Sequence, residues 1–234
     1  MMEATEETIE HFFRRSLFVC AIISSLCLMG YALAYLIAMP ALDINGFIPT
    51  TGAKGPGSFF NFGNLNILFV LGYAFFLAPV IVWFTFKNYR TSPCAMLLSA
   101  CLSLISFVIE IMTNLPLLSL AIMKGKLSAI SPDVALYLQQ VESAKFMALD
   151  VAGFTLAYIA FAIYAIVYFK SKKLLSYTII GSIVVFIANV PFLWISPVVA
   201  IILMVISIFA FALIPILLAR MSESNIDLVT TNNQ

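Results

Sequence analysis

Ser99-Ala100-Cys101-Leu102-Ser103-Leu104-Ile105-Ser106-Phe107-Val108-Ile109-Glu110-Ile111-Met112-Thr113-Asn114 decides the fold. Ser99, Ser103, Ser106, Glu110 and Thr113 recur at the 4-3-4-3 spacing of a helix, inside a long apolar run. At roughly 100° per residue they fall within about 80° of one face. A charge at the centre of a bilayer costs about 2.5 to 3.5 kcal/mol on insertion scales, so Glu110 is expected to face a protein interior or a wet cavity.

The surrounding chain supplies the solvent. Of its 234 residues 63% are hydrophobic and only 10% charged, where soluble domains use about a quarter charged residues. Six apolar runs are each long enough for a hydrocarbon core that takes roughly 20 helical residues: Leu17–Met39, Asn64–Phe86, Cys94–Ala121, Phe146–Phe169, Leu174–Ile195 and Pro197–Ala219. Alternating strand patterning is absent, which argues against a lipid-facing barrel. The expected fold is all-α, a polytopic bundle of six transmembrane helices over residues 17–219, with tails at 1–16 and 220–234. The first run continues past the about 7 to 15 residues of a signal core, so it reads as an uncleaved helix.

Orientation follows from Lys and Arg in the connections. Arg14, Arg15, Lys87, Arg90, Lys170, Lys172, Lys173 and Arg220 fall on one side, and Lys54, Lys124, Lys126 and Lys145 on the other. Both termini are therefore expected in the cytoplasm. The cluster Lys170, Lys172 and Lys173 reads as a topology determinant that can also touch anionic head groups.

Two connections are long. The external loop 41–63 interleaves Gly46, Pro49, Gly52, Gly55, Pro56 and Gly57 with aromatics, which favours irregular backbone. The external connection 124–145 contains Ser131-Pro132-Asp133, a helix-start signal, so 135–145 is expected to be helical. Pro191, Trp194 and Pro197 separate the last two runs almost without a loop, implying a tight hairpin. Pro116 and Pro215 are expected to kink their helices.

Other segments carry polar faces too. Thr178, Ser182 and Asn189 share one on segment five, and Cys20, Ser24, Cys27, Tyr31 and Tyr35 one on segment one. Segments one, three and five are thus expected to enclose one polar core. The competing reading is that hydroxyls serve as interhelical glue, worth about 0.6 kcal/mol per bond. Gly153, Ala157 and Ala160 read as a close-packing face of segment four. The candidate ligand-binding residues are Glu110, Ser103, Ser106, Thr113, Asn114, Asn189 and Asp150.

Catalytic chemistry finds little support. His11, the single histidine, lies in the amino-terminal tail, so no catalytic residue, metal ligand or cofactor is assigned. Cys20 with Cys27 and Cys94 with Cys101 are each seven residues apart. That is about 10 Å along a helix, beyond the roughly 7 Å reach of an unmoved disulfide, so four reduced and buried thiols are expected. P-loop, dinucleotide and nucleophile-elbow motifs are absent. A net charge of +1 with scattered basic residues excludes nucleic acid as a partner.

Three stretches suggest relatives: Phe86-Lys87 closing a helix before a basic loop, the Ile109-Glu110 pair, and Tyr168-Phe169-Lys170-Ser171-Lys172-Lys173-Leu174-Leu175 followed by Gly181. From Phe76 onward the chain resembles the uncharacterised prokaryotic membrane family known as domain of unknown function 4386. The resemblance implies a small multi-pass helical protein and supplies no activity. In that family an arginine commonly stands three positions before the acid, where this chain has Phe107.

Two functions remain open on sequence. One is a small carrier or binder of a small molecule, lipid or cation, with Glu110 in a polar intramembrane cavity. The other is a non-enzymatic structural or accessory subunit, whose partner is another membrane protein or a second copy of the chain.

Overall fold

The computed structural model describes residues 2–38, 62–130, 149 and 152–223. Its elements are α1 (Met2–Ala38), α2 (Phe62–Asn88), α3 (Pro93–Ile130), α4 (Ala152–Val167), α5 (Lys173–Ile195), α6 (Pro197–Ala212) and α7 (Ile214–Glu223). No strand occurs among the described residues. Among the described residues, His11–Leu33, Ile67–Asn88, Pro93–Pro116 and Ile202–Met221 are long and apolar enough to cross a membrane, and Ala152–Val167 and Lys173–Asn189 are shorter apolar stretches.

The molecule is apolar outside and carries buried polar side chains within an otherwise apolar core. Phe75 is 70% exposed and Ile166 76%, while Ser99, Ser103, Asn114, Ser182 and Ser207 are buried. Water would penalise that outer surface, and hydrocarbon accepts it. This is a helical membrane bundle.

The α2–α3 turn is short because Asn88 bonds the Phe84 carbonyl through Nδ2 (2.8 Å), Thr91 N–H returns to Asn88, and Pro93 opens the next helix. The tight hairpin expected near Trp194 is present. Ser196 alone is extended between α5 and α6, with Pro197 at the first helical position, and Pro191 lies inside α5. The final apolar run is two helices, not one. Pro215 has no N–H to donate, and the helix breaks at Leu213, whose N–H bonds Ala210 in a tightened turn. By contrast α3 passes through Pro116 unbroken.

Other boundaries also move. Residues read as an amino-terminal tail are helical from Met2, and α3 runs past Ala121 to Ile130, taking up the start of the expected connection. Most of the 41–63 loop and the segment 135–145 lie outside the described residues, as does Asp150. All four cysteines are free, but only Cys20 and Cys27 are half-buried; Cys94 and Cys101 are exposed. A thiol behaves as a small apolar group, so the outer wall of a bundle in lipid accommodates it.

In the packing, α1 lies on α2, α6 and α7, α2 on α3 and α7, and α5 on α6. Helix α4 ties these together through Thr85 of α2 to Tyr164 (3.1 Å), Ser176 of α5 to the Ala165 carbonyl (3.0 Å) and Ser207 of α6 to Tyr158 (2.7 Å). An aromatic core surrounds it. Phe84 and Tyr164 meet at 5.2 Å, Phe161 and Phe211 at 5.1 Å, and Tyr158 and Phe211 at 4.7 Å.

At the end of the bundle bearing most basic residues, Phe13 stacks on Trp83 at 6.0 Å and Lys87 lies 4.9 Å above that indole. Lys172 donates to the Met221 carbonyl at 3.2 Å, and burial pushes its ammonium below the ordinary lysine range. The folded state therefore binds its proton less tightly than the unfolded chain does. Stability is expected to rise with pH between the depressed folded value and the ordinary lysine value, and the cost of the buried charge is constant below that window. Lys172→Met is expected to flatten this alkaline rise in unfolding experiments across pH; an unchanged slope would assign the rise to other groups.

Candidate functional site

The α3 stripe is buried along its whole length: Ser99, Ser103, Ser106, Glu110 and Thr113 all face inward. What it faces is the small side of α4. Ser99 donates its hydroxyl to the Ala160 carbonyl at 2.6 Å and Ser106 to the Gly153 carbonyl at 2.8 Å. Donors and acceptors are each seven residues apart and run oppositely, which sets one antiparallel register. Ala157 and Ala160 are buried on that side, so the packing role expected of the Gly153, Ala157 and Ala160 face holds. Ser103 stands between the two bonded rungs, fully buried, and its hydroxyl has no hydrogen-bond partner among the described residues.

Glu110 lies one turn beyond Ser106 and is 2% exposed. Asn114 holds it from the next turn, donating Nδ2 to the Glu110 carbonyl at 2.9 Å and to Oε2 at 3.3 Å. Thr113 turns back to the Ile109 carbonyl at 2.7 Å. Across the interface, a β-carbon on Gly153 would collide with Glu110 Oε1 and stand 3.1 Å from its Cδ. The glycine leaves the volume that the carboxyl group occupies, and a β-carbon there would force the carboxyl group to shift.

Tyr73 of α2 completes this neighbourhood. Its ring meets Phe107 edge-on at 6.1 Å, and its phenol lies within electrostatic reach of Tyr158 and Glu110. The hydroxyl is buried and, like Asn114 Oδ1, has no hydrogen-bond partner among the described residues. Sequence reading missed Tyr73, although a tyrosine inside an apolar run was the available signal. It also missed Tyr158 and Ser207.

The expected common core of segments one, three and five divides into separate interfaces. Ser24 of α1 bonds the Tyr73 carbonyl of α2 at 3.2 Å. Ser182 of α5 and Ser207 of α6 exchange hydroxyl-to-carbonyl bonds of 3.2 and 2.9 Å. Among the described residues α3 and α5 do not touch, so Asn189, buried on α5 with its Oδ1 lacking a hydrogen bond, does not belong to the Glu110 group. The cause is α4, which fills the space between them.

Chemically, the group offers a carboxyl, an amide oxygen, a phenol and a serine hydroxyl: oxygen ligands and hydrogen-bonding groups. Among the described residues no three of His, Cys, Asp and Glu come together. A recess lies elsewhere, a groove of about 450 Å³ between α2 and α3 with apolar walls, and no candidate residue lines it. Single Ser99→Ala and Ser106→Ala changes are expected to cost about 0.6 kcal/mol each, as typical interhelical bonds do. Reversible unfolding in mixed micelles checks this, and losses several-fold larger would show that the two rungs hold more than the α3–α4 seam.

No family model, curated protein or solved structure matches the chain, so its likeness to other proteins rests on the short stretches already quoted.

Proposed function

We propose that the chain crosses the prokaryotic cytoplasmic membrane six times with both termini inside, and that it binds or carries a small hydrogen-bonding or cationic group at Glu110. One observation carries this reading. Glu110 lies buried in a neighbourhood where Tyr73 and Asn114 each present a buried polar atom without a hydrogen bond among the described residues. Buried polar groups are satisfied in the great majority of cases, and leaving one unmade costs about 1 to 3 kcal/mol. An interface built only for adhesion has no use for two of them beside a carboxyl group. Ser106, Thr113 and Asn114 position the acid, while Asn189 stands apart from it.

A second reading, an accessory subunit in which the stripe is adhesive, draws on the bonds from Ser99 and Ser106 to α4. Native mass spectrometry of the gently released protein separates the two. A small-molecule or lipid adduct present in wild type and absent from a folded Glu110→Gln variant supports binding. No adduct in either, with stability sharply altered by the substitution, sinks the binding reading and favours the subunit.

A further inference from the structure

The α2–α3 groove is walled on one side by Ala74, Phe75, Phe76 and Pro79 of α2 and on the other by Leu104 and Val108, four residues apart on α3. Cys20 reaches it from α1. Its volume of about 450 Å³ falls within the range of small-molecule sites, about 300 to 1,000 Å³. Leu104 and Val108 are also exposed on the outer face of the bundle, so the groove opens to the surrounding hydrocarbon.

Phe107 joins the groove to the polar core. It lines the groove, is itself buried, and presents its ring to Tyr73 in an edge contact. One aromatic ring therefore separates a lipid-open apolar trough from a buried phenol that has no hydrogen-bond partner among the described residues and lies within electrostatic reach of Glu110. Simple lipid solvation explains a filled groove, but it does not explain a hydroxyl placed behind its wall with no partner among those residues.

We propose that the groove docks a single-chain amphiphile from the bilayer, its hydrocarbon tail lying between α2 and α3 and its uncharged hydrogen-bonding head reaching the Tyr73 hydroxyl as Phe107 turns aside. This deepens the binding reading of Glu110 by naming the ligand class and its route of entry, which is lateral, from lipid. The head needs an acceptor for the Tyr73 O–H, and a long-chain alcohol meets that requirement while leaving its own hydrogen for Glu110. A charged head would have to shed its hydration on the way in, which the apolar groove does not offset.

The test uses the full chain in vesicles of phosphatidylethanolamine and phosphatidylglycerol, with trace amounts of a long-chain alcohol carrying a mid-chain diazirine. A matched probe lacks the hydroxyl. After photolysis, labelling of peptides containing Cys20, Leu104 and Val108 is read by mass spectrometry. The alcohol is expected to label them several-fold more than the headless probe. Tyr73→Phe is expected to erase that excess, and Phe107→Ala to increase it. Tyr73→Phe removes a hydroxyl that makes no hydrogen bond among the described residues, so it is expected to fold with unchanged or raised thermal stability. Equal labelling by both probes in wild type, or an excess that persists in Tyr73→Phe, overturns the proposal. An excess kept in Glu110→Gln but lost in Tyr73→Phe upholds the groove while removing Glu110 from it, so failure of the Glu110 reading is separately visible.

Discussion

Gly153→Ala is expected to destabilise the bundle by about 1 to 3 kcal/mol, the usual cost of forcing a methyl group into a filled interior. On an exposed helical site the same change would stabilise, because alanine is the better helix former by about 1 kcal/mol. Here the new β-carbon meets the Glu110 carboxyl group, and the register of α3 on α4 is already held by Ser99 and Ser106. Neither helix can slide without losing both hydroxyl bonds. The collision belongs to a pair, so Glu110→Ala is expected to abolish most of the penalty in the double variant, whereas the isosteric Glu110→Gln is expected to leave it. A double-mutant cycle in mixed-micelle unfolding reads the coupling directly. A Gly153→Ala cost that is the same in the Glu110→Ala background would mean the two residues are not in contact.

Phe211→Ala is the second large expected loss, at about 3 kcal/mol, the low end for removing a buried phenylalanine. The ring contacts Tyr73 at 6.2 Å, Tyr158 at 4.7 Å and Phe161 at 5.1 Å, so its removal loosens α6 from α2 and α4 together. The estimate sits at the low end because the unfolded helices remain in hydrocarbon, which leaves packing and cavity terms but little transfer from water. Phe75→Ala on the outer face is expected to cost almost nothing by the same measurement, since lipid replaces the lost contacts. Comparable losses at both positions would indicate that transfer rather than packing governs stability here.

Much of the α3 surface was legible in advance. A polar stripe at helical spacing in an apolar run has one stable placement, inward, and all five of its residues are buried. Where a kink was expected at Pro215, the helix instead breaks two residues earlier, at Leu213, because the missing donor acts on the turn behind it. The identity of the facing helix was not legible. Periodicity names a face but not its neighbour, and the expectation that segments one, three and five would share a core failed because α4 occupies the centre.

Amino-acid composition and the lengths of the apolar runs were enough to determine a helical membrane bundle, because hydrocarbon offers no partner to an open backbone. Spacing alone likewise determined that Glu110 lies inside. Only the tertiary structure decided that its space is supplied by Gly153, forty-three positions away, and that Phe107 both lines a groove with apolar walls and meets the ring of Tyr73. Those relations depend on which helices touch and in what register, and that is set by the joint packing of side chains distant in the chain.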